Sequence, residues 1–392
     1  MRKVLVLDAN QRSSLAIIRS LGRQGIEVIA GDPGAHSLGG ASRYAAGSVQ
    51  YSDPATRPDR FVREVIEITR RLAIGTVIPA TDLTTMLLVS QSELSQIAHV
   101  ASAPSDSYEV LTDKARLIGL ANRLGIAVPE TQIAETGAAI AIAARELGFP
   151  VVLKPARSRY RKGGQIVSTN VDIVRNPDDL TRAVDALQWL GDIPCLVQQF
   201  VVGHGAGVFA LYGPAGPVAW FTHRRIREKP AAGGVSVLSE SAAVDPAMQS
   251  AAERILTAAS WIGVAMVEFR VGVDGTAYLM EVNGRFWGSL QLAIDSGIDF
   301  PLLLYQMIRG APTTAPTSYQ VGRRLRWLIG DFDRLLAELT KTSLGIRHRA
   351  QAVKAFLGSF VDPRCRQEIL RMHDPLPALA ETRQWLYAIL NK

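Results

Sequence analysis

Two apolar segments joined by an Asp-Gly turn leave little conformational freedom to residues 264–290, VAMVEFRVGVDGTAYLMEVNGRFWGSL. The first segment ends at Val271 and the second starts at Thr276. Between them Val273-Asp274-Gly275 supplies the turn, because Asp-Gly tolerates the positive φ angles of a tight hairpin. Folding back brings Glu268, late in the first strand, beside Glu281 and Asn283, late in the second. Residues two apart on a strand share a face, so Glu281 and Asn283 point the same way.

Carboxylates crowded together in an apolar surround repel one another unless a cation sits between them. Hard oxygen ligands of this kind suit Mg²⁺, with Mn²⁺ an acceptable substitute, the remaining positions going to water and phosphate. An exposed hairpin with polar ends would satisfy the two acids equally well. Arg285 shifts the balance: in E-x-N-x-R a guanidinium is aimed at the same patch, suited to gripping a carboxylate or phosphate through two bonds. E-V-N-G-R preceded by a Glu-bearing strand resembles the magnesium-binding strand pair of the ATP-grasp superfamily, ligases that join carboxylic acids to nucleophiles through acyl phosphates. The region looks nearest to biotin carboxylase and carbamoyl-phosphate synthetase. Biotin carboxylase carries a glutamate base shortly after the arginine, whereas this chain has Phe286-Trp287-Gly288-Ser289. A biotin or bicarbonate reaction is therefore disfavoured, and the aromatic pair either walls a substrate pocket or belongs to the core.

With 392 residues the chain exceeds one compact core and calls for two to four domains. No run of 18 uncharged apolar residues is present, so no membrane span is expected. The opening segment reaches Asp8 too early for a signal peptide and reads as a first strand. Cys195 and Cys365 lie far apart without ligand-like neighbours, against a disulfide or zinc scaffold and in keeping with a reducing cytoplasm. The net charge of +7 is uneven: from Val321 onward thirteen Lys/Arg face seven Asp/Glu. Trp, Leu and Ile interleave with those charges at helical spacing, which favours a solvated helical surface over a nucleic-acid patch.

Residues 1–110 alternate strand and helix signals, predicting a parallel α/β domain. The turn after the first strand lacks G-x-G-x-x-G, which counts against a dinucleotide-dependent oxidoreductase. ATP-grasp enzymes commonly begin with such a domain. Thr81-Asp82, at the end of its third strand, would either cap a helix or touch substrate. Thr112 or Asp113 caps a helix running to Leu124, which leaves Lys114 in the first turn, working against the helix dipole. Lys154 lies on the apolar strand VVLKP and needs a counter-charge if buried. The basic segment from Ser158 to Gly164, with Gly163 and Gly164, can fold over phosphates.

A strand follows over PCLVQQFVVGHGAG, and FTHRRIREKPAAGG then brings a cationic row up to Gly233-Gly234. Strand alternation places Arg225, Arg227 and Lys229 on one face, with Arg224 and Glu228 on the other. The resemblance implies that Lys114 and Lys154 contact ATP phosphates and that the glycine segment forms a lid. It also implies that Gln198, Gln199 and Val201 line the adenine edge, and that Glu268, Glu281 and Asn283 hold the metal. Arg225, Lys229 and Arg285 would then handle the transferred phosphoryl and acyl groups. Many relatives carry Glu or Lys where Gln198 and Gln199 stand, and an acid for the ribose where this chain has His204 or Gly205, leaving the ribose contact and the choice of purine open.

The expected architecture is a Rossmann-like domain over 1–110, an ATP-grasp α+β domain over 111–315 with its lid at about 150–200, and a basic, mostly helical extension over 320–392. The implied activity couples a small-molecule carboxylate to an amine with release of ADP and phosphate. A nucleotide-binding regulatory module acting through a partner is the alternative. A homo-oligomer is compatible with either.

Overall fold

The computed structural model describes residues 3–230, 234–341 and 345–391. Its N-terminal sheet is wholly parallel. The strands β1 (Lys3–Val6), β2 (Val28–Asp32), β3 (Gly47–Gln50), β4 (Ile74–Ile78) and β5 (His99–Val100) stand in the order β3-β2-β1-β4-β5. The near-continuous apolar run of β1 is explained by helices on both faces. Val4 and Val6 pack with Ile17, Ile18 and Leu21 of the helix Arg12–Arg23, while Leu5 and Leu7 meet Phe61 and Val65 of the helix Pro58–Arg71. Thr81 caps the helix Asp82–Leu88 through a capping box with Thr84, so the cap expectation for this pair holds.

Next come β6 (Thr131–Ala134) and β7 (Val151–Pro155), then a separate hairpin of β8 (Arg159–Lys162) and β9 (Gln165–Ser168), then β10 (Asp172–Val174) and β11 (Cys195–Gln199). Strands β10-β7-β11-β6 form an antiparallel sheet covered by the helices Gly137–Leu147 and Pro177–Asp185, through Ile140, Ala144 and Leu180. The sheet recruits β6 from ahead of residue 150, where the sequence placed the start of the lid.

The largest sheet has seven strands: β12 (Gly203–Gly213), β13 (Gly216–Lys229), β14 (Val235–Ser241), β15 (Gly263–Gly272), β16 (Ala277–Asn283), β17 (Arg324–Arg326) and β18 (Cys365–Gln367), ordered β16-β15-β12-β13-β14-β17-β18. The strand expected over PCLVQQFVVGHGAG is thus two strands, β11 and β12, belonging to different sheets, with the chain crossing between them at Phe200–Val202.

The C-terminal segment corrects the expectation more substantially. Its helices Leu328–Thr340, Ile346–Val361 and Leu376–Leu390 are present, but β17 and β18 extend the large sheet. Part of its charge is also turned inward. Arg326 bonds Asp331 at 2.7 Å with both side chains fully buried, Arg324 bridges Glu240 and Asp362, and Arg371 meets Asp295 at 2.6 Å. From the N-terminal domain, Arg19 donates to Asp374 at 2.8 Å and to the carbonyls of Glu368 and Ile369. The segment is thus tied into the large sheet and the N-terminal domain, while Lys341, Arg347, Lys354, Arg364, Arg366 and Arg383 keep a solvated basic surface as expected. Among the described residues no helix is long and apolar enough to cross a membrane.

Candidate active site

The hairpin read from the sequence forms as expected. Strands β15 and β16 pair antiparallel with Glu268 directly opposite Glu281 and Met266 opposite Asn283. At the turn, Gly275 takes φ +83°, and the Asp274 carboxylate accepts from the Thr276 amide. Past the hairpin, Gly284 permits a close approach: a Cβ there would lie 2.7 Å from Trp261 and 3.0 Å from Tyr108. That contact brings Asn283 and Arg285 against the helix Ser105–Thr112. Phe286 and Trp287 are core residues: Trp287 stacks on Phe209 at 4.2 Å and meets Phe300 edge-on, so neither ring walls a pocket.

The acids, the amide and three cations converge at the ends of β15 and β16. The Asn283 Nδ2 donates to Glu268 Oε1 at 3.2 Å and to Glu281 Oε1 at 3.3 Å. From β13, Arg225 donates to Glu268 Oε2 at 3.3 Å. The Lys114 Nζ lies 3.4 Å from Glu281 Oε2 and donates to Ser158 Oγ at 3.0 Å. Asp113 fixes that lysine by capping its helix, Lys114–Arg123, through the amides of Ala115 and Arg116. Arg285 reaches into the N-terminal domain, bonding both carboxylate oxygens of Asp82 at 3.0 and 3.1 Å. Asp82 therefore caps nothing itself but joins the cluster.

Electrostatics mark the cluster as unfinished. Desolvation pushes the Glu268 carboxyl above the usual carboxylate range, and the charge of Glu281 pushes it further, against the pull of Arg225 and Arg285. Burial lowers the Lys154 ammonium to about 8, Glu281 opposing the shift while Lys114 and Arg270 add to it. A divalent cation would relieve the acid pair and a polyanion would relieve the lysines. Two carboxylates and an amide able to turn its oxygen inward are a donor set that Mg²⁺ accepts. No group of three or more His, Cys, Asp or Glu is arranged for a metal among the described residues, so a cation here would draw the rest of its shell from phosphate and water.

The remaining expectations divide. Lys154 is in place on β7, but its Nζ donates to Gln198 Oε1 at 2.6 Å, and the Gln198 amide donates to Thr131. The Gln198 side chain is thus a buried anchor for the lysine. Gln199 spends its backbone N–H on the Glu130 carbonyl, and the Val201 carbonyl accepts from Arg270 at 3.1 Å. Gly163 and Gly164 form the tip of the β8–β9 hairpin, both at positive φ.

Lys229 departs from the expectation. A register shift in the β13–β14 pairing, between Arg225 and Glu228, reverses the alternation. Arg225 and Glu228 then share the site face and bond at 3.2 Å. Arg227 and Lys229 turn to the opposite side, toward Asp331 and Asp333 of the helix Leu328–Thr340. Glu228 is the site residue that strand alternation missed, since nothing local announces the bulge. Of the glycine pair ahead of which the row was placed, Gly233 lies outside the described residues.

A cavity of about 110 Å³ opens between the cluster and the N-terminal domain. Asp82, Met86, Val89 and Tyr108 form one wall, and Lys114, Arg157, Glu281 and Asn283 the other.

The chain is similar to several known proteins. Residues 195–330 match the family described as "ATP-grasp in the biosynthetic pathway with Ter operon". The carbamoyl phosphate synthase large chain of Xanthomonas axonopodis pv. citri is 29% identical over 152 residues, covering 38% of this chain and 13% of that one. The D-alanine–D-alanine ligase of Anaeromyxobacter dehalogenans is 30% identical over 207 residues, covering 49% and 64%. This chain therefore spans only a small part of the synthase chains it matches. Among solved structures, biotin carboxylase from Campylobacter jejuni in complex with β,γ-ATP superposes with a TM-score of 0.66 at 15% identity, covering 83% of this chain and 74% of that one, a likeness of fold. Residues 195–330 thus match an ATP-grasp family, and the fold is similar to that of biotin carboxylase.

Proposed function

We propose that the chain is an ADP-forming ligase that activates a small carboxylic acid with ATP and couples it to an amine. One observation carries the proposal: paired acids Glu268 and Glu281, with Asn283, meet Lys114, Arg225 and Arg285 at one strand end beside a cavity. In the reaction a substrate carboxylate oxygen attacks the γ-phosphorus, the bond to the β–γ bridging oxygen breaks, and ADP leaves. The amine then attacks the acyl carbon, phosphate departs with the C–O bonding pair, and the ammonium proton passes to solvent.

Positioning and charge stabilisation supply most of the catalysis such a transfer needs. Glu268, Glu281 and Asn283 would hold Mg²⁺, which when bound neutralises phosphate oxygens. Lys114 and Lys154 reach the phosphates, and the β8–β9 hairpin covers them. Arg225 takes up charge developing on the transferred group, and Arg285 orients the acyl carboxylate. Gln198, Gln199 and Val201 would line the adenine edge. ADP release with Mg²⁺-ATP, measured against pools of amino acids and small carboxylates, tests the assignment. Release that depends on one pool and disappears in Glu281→Ala supports it; release indifferent to every pool and to that substitution contradicts it.

A further inference from the structure

The pairing of Asp82 with Arg285 carries information about the acid that is activated. Four of the five N–H groups of this guanidinium are engaged: Nε and Nη2 bond Asp82, Nη2 also reaches Asn283 Oδ1, and Nη1 donates to the Phe286 carbonyl. A substrate carboxylate gains the two-bond Nε–Nη2 edge of the arginine only by displacing Asp82. That residue lines the cavity, with its side chain 41% exposed. It can therefore swing without unpacking the domain, because Thr81 and not Asp82 caps the helix behind it.

The displaced carboxylate decides which acids bind well. A simple carboxylic acid that takes Arg285 leaves Asp82 without a partner and close to a second negative charge, a repulsive arrangement. A zwitterion exchanges one internal ion pair for two new ones, its carboxylate on Arg285 and its ammonium on Asp82. Met86, Val89 and the ring of Tyr108 lie beside Asp82 in a wall otherwise polar, with Ser90, Glu109 and Thr112, and the cavity is small. Resting on the ligase assignment above, we infer that the acid activated here is a small α-amino acid, and that Asp82 is the residue selecting its ammonium group.

The test uses the full chain with Mg²⁺-ATP and hydroxylamine as the nucleophile, so that any activated acid is trapped as its hydroxamate. Alanine, valine and leucine are compared with propionate, 3-methylbutanoate and 4-methylpentanoate, which lack only the amino group. The inference predicts that at least one amino acid exceeds its counterpart in kcat/KM by about 100-fold. In Asp82→Asn the ratio should collapse toward unity, chiefly through KM, while far-UV circular dichroism and a cooperative thermal unfolding transition like that of the wild type report an intact fold. Hydroxamate formed equally well from the amino-free acids, or a preference that survives in Asp82→Asn, overturns the role of Asp82 and leaves the ligase assignment standing. Hydroxamate from no acid, together with no acid-dependent ADP release, removes the ligase assignment and this inference with it.

Discussion

Two charged clusters in this molecule use the same residue types to opposite ends. In the C-terminal segment the ion pairs are short and buried: Arg19–Asp374 at 2.8 Å, Arg326–Asp331 at 2.7 Å and Arg227–Asp331 at 2.6 Å, with side chains at most 9% exposed. At the end of the β15–β16 hairpin the contacts are longer: 3.3 Å for Arg225–Glu268 and 3.4 Å for Lys114–Glu281, with the two acids 26% and 35% exposed. Buried charges that are fully paired hold a structure in register, and losing one partner strands the other in a medium that cannot solvate it. Charges held loosely beside a cavity retain capacity for a ligand. The contrast separates architecture from chemistry in a chain rich in arginine.

The largest effect expected from this contrast is on stability. Asp374 accepts from Arg19, from Ser42 Oγ at 2.7 Å and from the Arg43 amide at 2.9 Å. Asp374→Ala should cost about 3–5 kcal/mol in urea unfolding, and a loss below about 1 kcal/mol would erase the distinction drawn above. The matching change in the other cluster, Arg225→Ala, should lower turnover by about 10²–10³-fold while shifting the unfolding midpoint little. An unfolding loss as large as that of Asp374→Ala would make Arg225 a structural residue.

The smallest effect sharpens the comparison through pH. Burial raises the half-buried Glu381 carboxyl to about 7, with Glu368 adding to the shift and a 2.6 Å bond from Trp327 Nε1 opposing it. At pH 4 the group is protonated in the folded and the unfolded chain alike. As pH rises from the ordinary carboxyl value toward 7 the unfolded chain ionises first, so stability falls, and the loss is complete above the folded value. Glu381→Gln keeps an acceptor for Trp327 but has no charge to bury. It should match the wild type near pH 4 and be the more stable at pH 8 in thermal unfolding; a variant less stable at pH 8 would contradict the assigned cause.

What the sequence disclosed follows the range of the interactions involved. Glu268, Glu281 and Asn283 were legible because strand alternation and an Asp-Gly turn are local signals. The same holds for the Asp113 cap that places Lys114, and for the apolar strand carrying Lys154. The bulge that sends Lys229 away and brings Glu228 in is set by pairing with β14 and was not legible. Strands β17 and β18, three residues each, exist only because distant edges accept them. Trp287 could not be assigned until Phe209 and Phe300 were seen against it. The buried C-terminal arginines were not told apart from the solvated ones because several of their acidic partners lie far away in sequence, as Glu240 does from Arg324 and Asp295 from Arg371.

The most direct test of the central claim is calorimetric titration of ATP into the metal-free chain, with and without Mg²⁺, for the wild type and Glu281→Gln. If the hairpin acids hold the cation that binds the phosphates, Mg²⁺ should tighten ATP binding by at least about tenfold in the wild type and by far less in Glu281→Gln. Equal tightening in both proteins would place the metal elsewhere and contradict the account.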